Sequence, residues 1–135
     1  MTMKRPRRAF GSALLMALLL ASTLPVQAIA ARGPAPALSP SRSGDIRRAI
    51  DERRLLDAAR MIDQARFEGV ADPGIFLLTG ELGLANKRFD VALKDFQAAM
   101  GDPALAGDAL QGQGLALIAM NRGDEAKPVL ERAVF

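Results

Sequence analysis

Residues 76–100 read FLLTGELGLANKRFDVALKDFQAAM, and the fold turns on how this stretch is parsed. Phe76, Leu77, Gly80 and Leu84 recur at helical spacing, and so do Phe89, Ala92, Leu93, Phe96 and Ala99. Apolar residues at i, i+3, i+4 and i+7 mark one face of an amphipathic helix. Asp90, Lys94, Asp95 and Gln97 fall on the rest of the second run, and Asn86-Lys87-Arg88 makes the turn between the two. The stretch predicts two short antiparallel helices.

Helical patterning continues on both sides. Upstream, Asp45 is placed to cap a helix carrying Ile46, Ala49 and Ile50, with Arg47–Asp51 and Arg48–Glu52 as i,i+4 ion pairs on its wet face. A second helix over Leu55–Phe67 turns Leu55, Ala58, Ala59, Ile62 and Ala65 inward and ends at Gly69. Glu52-Arg53-Arg54 between them contains no helix breaker. Asp72-Pro73 opens the central hairpin with an N-cap and a proline at the first helical position, and Asp102-Pro103 repeats the device. A helix over Pro103–Met120 offers Leu105, Leu110, Leu115, Leu117 and Ile118 for packing. After the turn Asn121-Arg122-Gly123, Asp124 caps a last helix with Pro128 early in it.

A period of 34 residues runs through these helices. Ala58, Ala92 and Ala126 stand 34 apart; Ile62, Phe96 and Leu130 follow at the same interval, then Ala65, Ala99 and Ala133, while Gly80 and Gly114 form a fourth column. The small residues admit close helix approach, and the large one fills the seam between helices. A 34-residue helix–turn–helix unit resembles the tetratricopeptide repeat, here over about residues 43–135. Gly80, Phe89, Ala92, Phe96 and Ala99 carry the likeness in the second copy, and Gly114, Leu117, Ala126, Leu130 and Ala133 in the third. Two positions depart from the pattern. Gly83 stands where the family usually has Tyr or Leu, which is expected to loosen that helix pair, and Ile46 replaces the small residue in the first copy.

The resemblance implies an all-α fold: a right-handed α-solenoid of about three repeats, near 43–71, 72–105 and 106–135. It also implies a concave groove, lined by the first helix of each repeat, that takes a protein or peptide segment. Carried onto this sequence, the groove positions are Leu77, Glu81 and Leu84 from the second copy and Asp108, Gln111, Leu115 and Ile118 from the third. The family commonly closes its last repeat with a polar-faced helix; without one, Val129, Leu130, Val134 and Phe135 are expected to be partly exposed.

Ahead of the helices, residues 1–30 resemble a secretory signal peptide. Lys4, Arg5, Arg7 and Arg8 precede the apolar run Ala9–Leu24, and Val26-Gln27-Ala28 or Ala28-Ile29-Ala30 offers small residues for cleavage. The run is short for a membrane span of about 20 residues. Arg7-Arg8-Ala9-Phe10 has a twin-arginine look, but so apolar a run suits the general export route better. Residues 31–44, rich in Pro, Ser and Gly, read as a linker, so the repeat domain is placed at 45–135. The expectation is an exported, periplasmic protein; an uncleaved leader would make it inner-membrane anchored.

Inventory excludes much chemistry. Without Cys or His, no Ser-His-Asp or Cys-His site can form from this chain alone, and a zinc site would need carboxylates only. A lipid-anchoring cysteine is likewise absent. Gly112-x-Gly114 lacks the third glycine and the strand of a dinucleotide loop, and no P-loop occurs. Asp90 and Asp95 make no convincing carboxylate pair. The +3 formal charge comes from the leader: beyond its four basic residues the chain carries 14 basic against 15 acidic side chains, which gives no support to nucleic-acid binding. No catalytic residue, cofactor or metal is expected, and the chain is read as not an enzyme. Short exported repeat proteins rich in Ala and Leu resemble accessory factors of tight-adherence pilus or secretion systems. The expected role is therefore an adaptor or assembly factor. The alternative is an anchored structural protein that forms homo-oligomers through its last helix.

Overall fold

The computed structural model describes residues 33–133. The leader, the first part of the linker, Val134 and Phe135 lie outside the described residues. Six helices follow one another, and no strand is present among the described residues. They are α1 (Pro40–Asp51), α2 (Leu55–Phe67), α3 (Gly74–Ala85), α4 (Phe89–Ala99), α5 (Ala106–Ala119) and α6 (Gly123–Ala133). The described residues are all-α, as the periodicity predicts.

α1 begins earlier than expected. Ser39, not Asp45, is its N-cap: the Ser39 hydroxyl accepts from the Arg42 amide at 3.3 Å, and Pro40 takes the first helical position. The helix thus starts inside the stretch read as linker. Arg47 and Arg48 do not make the predicted i,i+4 pairs. Arg48 turns back to Asp45 at 3.7 Å, and Arg47 reaches Glu81 on α3. Pro73, not Asp72, is the N-cap of α3, so the helix opens one residue later than predicted, yet Asp72 still holds its first turn. Its Oδ1 accepts from the Gly74 amide at 2.7 Å, while Oδ2 accepts from the Leu38 amide at 3.0 Å, tying the segment ahead of α1 to the start of α3. Asp102 repeats the capping contact with Ala104 at 2.9 Å, but a turn intervenes and α5 starts only at Ala106. α6 begins at Gly123, so Asp124 sits inside it and Pro128 falls deeper than expected.

The turns show the period in backbone geometry. Arg53, Lys87 and Asn121, spaced 34 apart, have φ of 61°, 59° and 60°, the left-handed conformation that closes a helix. The following amide reaches five residues back in each case: Arg54 to Ala49, Arg88 to Gly83 and Arg122 to Leu117, at 2.8–2.9 Å. No glycine marks these positions, which is why the first of them was not legible as a breaker.

Each helix packs on the next in sequence; in addition α1 packs on α3, and α3 on α5, whereas the second helices of the hairpins stay apart. α3 is accordingly covered on several sides. Ile75, Leu77, Leu78, Gly80, Leu82 and Gly83 are all buried, as expected for a helix that is apolar nearly all round. Phe76 is a correction: it is 41% exposed, because the buried faces of α3 are those of Ile75, Leu77 and Leu78. One apolar cluster joins Ile46, Ala49 and Ile50 of α1, Ala58, Ile62 and Ala65 of α2, and Ile75, Leu78 and Leu82 of α3. A second joins Leu77, Ala92, Phe96, Ala99 and Ala109.

Small and large residues trade places across these seams. A Cβ added at Gly80 would stand 2.7 Å from the Phe96 ring, and one at Gly114 would meet the Leu130 side chain. Where Ile46 replaces the small residue, a smaller Ile62 replaces the ring and both are buried. Gly83 does not loosen its hairpin. A Cβ there would lie 3.1 Å from the Ala92 Cβ, so α3 and α4 close on each other until backbone nearly meets side chain.

Candidate partner-binding groove

The first helices of the three hairpins bring one mixed surface together. Arg47 from α1, Glu81 and Leu84 from α3, and Asp108, Gln111, Gly112 and Leu115 from α5 line a concavity of about 280 Å³, with Phe96 beneath. Gly112 lets α5 settle onto that ring: an added Cβ would stand 2.4 Å from it. The floor is therefore bare backbone over an aromatic face, and the walls carry charge.

Arg47 Nε donates to both Glu81 carboxylate oxygens at 3.3 Å, linking α1 to α3 across the groove. Burial pushes the Glu81 carboxyl above its ordinary value; Arg47 opposes this, while Asp108 and Asp51 reinforce it. Gln111 and Asp108 are exposed, Leu115 is half exposed, and Leu84 is half-buried. Aliphatic contacts thus alternate with hydrogen-bonding groups along an open trough, an arrangement suited to an extended or helical segment.

Of the seven predicted groove residues, Glu81, Leu84, Asp108, Gln111 and Leu115 meet here. Leu77 does not. It is 1% exposed in the second apolar cluster, because its register position points beneath the groove toward Phe96 and Ala109. Ile118 is exposed but faces a different concavity, shared with α6. Arg47 is the residue the sequence reading missed. The signal was present: Arg47, Glu81 and Leu115 are spaced 34 apart, so the period that selects the last two selects the first.

Among the described residues, no group of His, Cys, Asp and Glu is placed to hold a metal ion, and no helix is long and apolar enough to cross a membrane. The one buried side-chain oxygen among them without a hydrogen-bond partner is Asp95 Oδ2 on α4, which does not line the groove. Compared with protein families, curated proteins and solved structures, the chain matches none.

Proposed function

We propose that the chain is an exported module of tetratricopeptide type, a right-handed stack of three helical hairpins that holds a segment of another protein in its groove. In this reading it serves as a periplasmic adaptor or assembly factor for an envelope machine such as a pilus or secretion system. The observation that carries the reading is the convergence of α1, α3 and α5, at 34-residue intervals, on one trough of mixed aliphatic and charged character. A stack of this kind presents an extended surface while each unit contacts only its neighbours. The chemistry of the walls favours a segment with aliphatic side chains for Leu84 and Leu115 and donors for Glu81 and Asp108. Export rests on the leader's charge and apolar run.

A photo-reactive residue at Gln111 in the full-length chain, activated in cells, tests the groove. The expected result is one discrete adduct, reduced several-fold by Leu115→Arg and not formed from the same probe at the exposed Lys94 of α4. Equal capture from both positions, or no adduct from Gln111, would overturn it. The mass of the purified mature protein tests export: a start at Ile29 or Ala31 supports cleavage, and a start at Met1 opposes it.

A further inference from the structure

The groove is short of positive charge, and the ion pairs around it show why. Of the three arginines on α1, Arg42 pairs with Glu68 of α2 and Arg48 turns back to Asp45. Only Arg47 reaches the trough, and there Glu81 takes it with both oxygens. The remaining ion pairs, on Arg54, Arg60, Arg66 and Arg122, involve no residue that lines the trough. Asp51 of α1 and Asp108 of α5 are exposed, and among the described residues neither forms an ion pair. Both act on Glu81, whose helix packs between theirs and whose burial already favours the neutral form. Three carboxylates thus surround one guanidinium, over a floor bordered by Leu84 and Leu115.

Charge complementarity states what fits. A lysine or arginine matches both halves of this surface: its methylene stem lies along leucine while its charged head reaches a carboxylate. Leu84 and Leu115 supply the first contact, and Glu81 and Asp108 the second. A purely aliphatic segment would cover those carboxylates without giving them a partner, which is costly. An acidic segment would add like charge to a site where Glu81 already holds its proton above the ordinary range, with Asp108 and Asp51 contributing to that shift.

We propose that the groove selects a basic segment of another protein, one that carries lysine or arginine between aliphatic residues and lies over Glu81 and Asp108. This rests on the groove being a binding surface and names what it takes. Docking is linked to protons. A cation brought beside Glu81 favours its ionised form, so binding releases a proton and tightens as pH rises above the ordinary 4.5 and through the elevated value. The charged groups that face Glu81 are Arg47 and Asp51 of α1 and Asp108 of α5. A guanidinium keeps its charge throughout, and ionised aspartates add to the attraction.

A display library of random peptides is panned on the full-length chain. The recovered sequences are expected to be enriched several-fold in lysine and arginine and depleted of aspartate and glutamate. Asp108→Lys should remove that enrichment and Asp108→Asn reduce it. Asp108 is exposed, so both variants keep their fold, which circular dichroism verifies. One recovered peptide, followed by anisotropy, should bind Asp108→Lys about tenfold more weakly, as like charge across an interface does. Calorimetry of the same peptide in two buffers of different ionisation enthalpy should show a proton released on binding, and Glu81→Gln should abolish that release. Basic peptides that bind without releasing a proton would lie away from Glu81 and overturn the proposal. Peptides with no basic preference that Leu115→Ala nonetheless weakens would overturn it and leave the groove standing. Peptides indifferent to both Leu115→Ala and Asp108→Lys would overturn it and the groove together. A photo-adduct from Gln111 to residues 1–30 of the same molecule would give the groove to the chain's own leader. Concentration-dependent self-association that Asp108→Lys abolishes would give it to a second copy, and either result would overturn the proposal too.

Discussion

At the scale of single residues, the glycines separate into those that packing requires and those it does not. Gly112 lies against the Phe96 ring at a distance no side chain tolerates. Gly44, on the exposed side of α1, has nothing within 4 Å of where its Cβ would be. Gly112→Ala is expected to cost about 1–3 kcal/mol through overpacking, offset in part by better helix propensity. Pairing it with Phe96→Leu should recover part of that loss. Gly44→Ala is expected to stabilise by about 0.5–1 kcal/mol, since only the propensity term acts there. Urea unfolding of the variants checks all of these, and a Gly112→Ala variant as stable as the parent would mean that α5 does not sit on Phe96. Glu81 gives a pH signature of known sign. Its carboxyl holds its proton to higher pH in the folded chain than the ordinary 4.5, chiefly because of burial. Its contribution to folding is therefore complete below pH 4.5 and is lost as pH rises through the elevated value. Glu81→Gln should shift the urea midpoint upward at pH 7 relative to the parent, with the gap closing below pH 4.5. A variant that loses more stability at pH 7 than at pH 4 would show that the Arg47 contact outweighs burial.

At the scale of helices and their ends, Asp72 performs two tasks with two oxygens, holding the first turn of α3 and anchoring Leu38. Asp72→Ala should cost about 1–2 kcal/mol, the usual range for losing a cap. Asp72→Asn keeps one acceptor and should cost distinctly less; thermal melts compare the two, and an Asn variant as stable as the parent would mean that Leu38 gains nothing from the second oxygen, whereas equal losses would mean that the retained oxygen contributes nothing at Gly74. The elements were legible in proportion to the locality of their signals. The ends of α2, Leu55 and Phe67, agree with the apolar spacing. The start of α1 was hidden because Ser39-Pro40 lies in a stretch whose composition reads as linker, although it is the same cap-and-proline device recognised at Asp72-Pro73. The late start of α5 had no signal, since Asp102-Pro103 caps a turn as readily as a helix. Phe76 and Leu77 share the apolar spacing, and Leu77 was assigned to the groove as well, whereas tertiary packing buries Leu77 and leaves Phe76 41% exposed. For the groove, the resemblance supplied Glu81 and Leu115, but Leu77 shows that register alone does not distinguish a wall from the layer beneath it.

At the scale of the whole stack, the proposed function depends on α1, α3 and α5 standing side by side so that Arg47, Glu81 and Leu115 face one trough. Asp51 and Ala119 occupy the same register position two units apart and are both exposed. With no native cysteine in the chain, spin labels can be placed at Asp51→Cys and Ala119→Cys without ambiguity. The direct measurement is the distance between them by pulsed electron resonance. Two helix-to-helix steps of about 8–10 Å each predict a single narrow distribution near roughly 20 Å. A broad distribution centred beyond twice that distance would mean that the first helices do not stand in one row, and the groove would not exist.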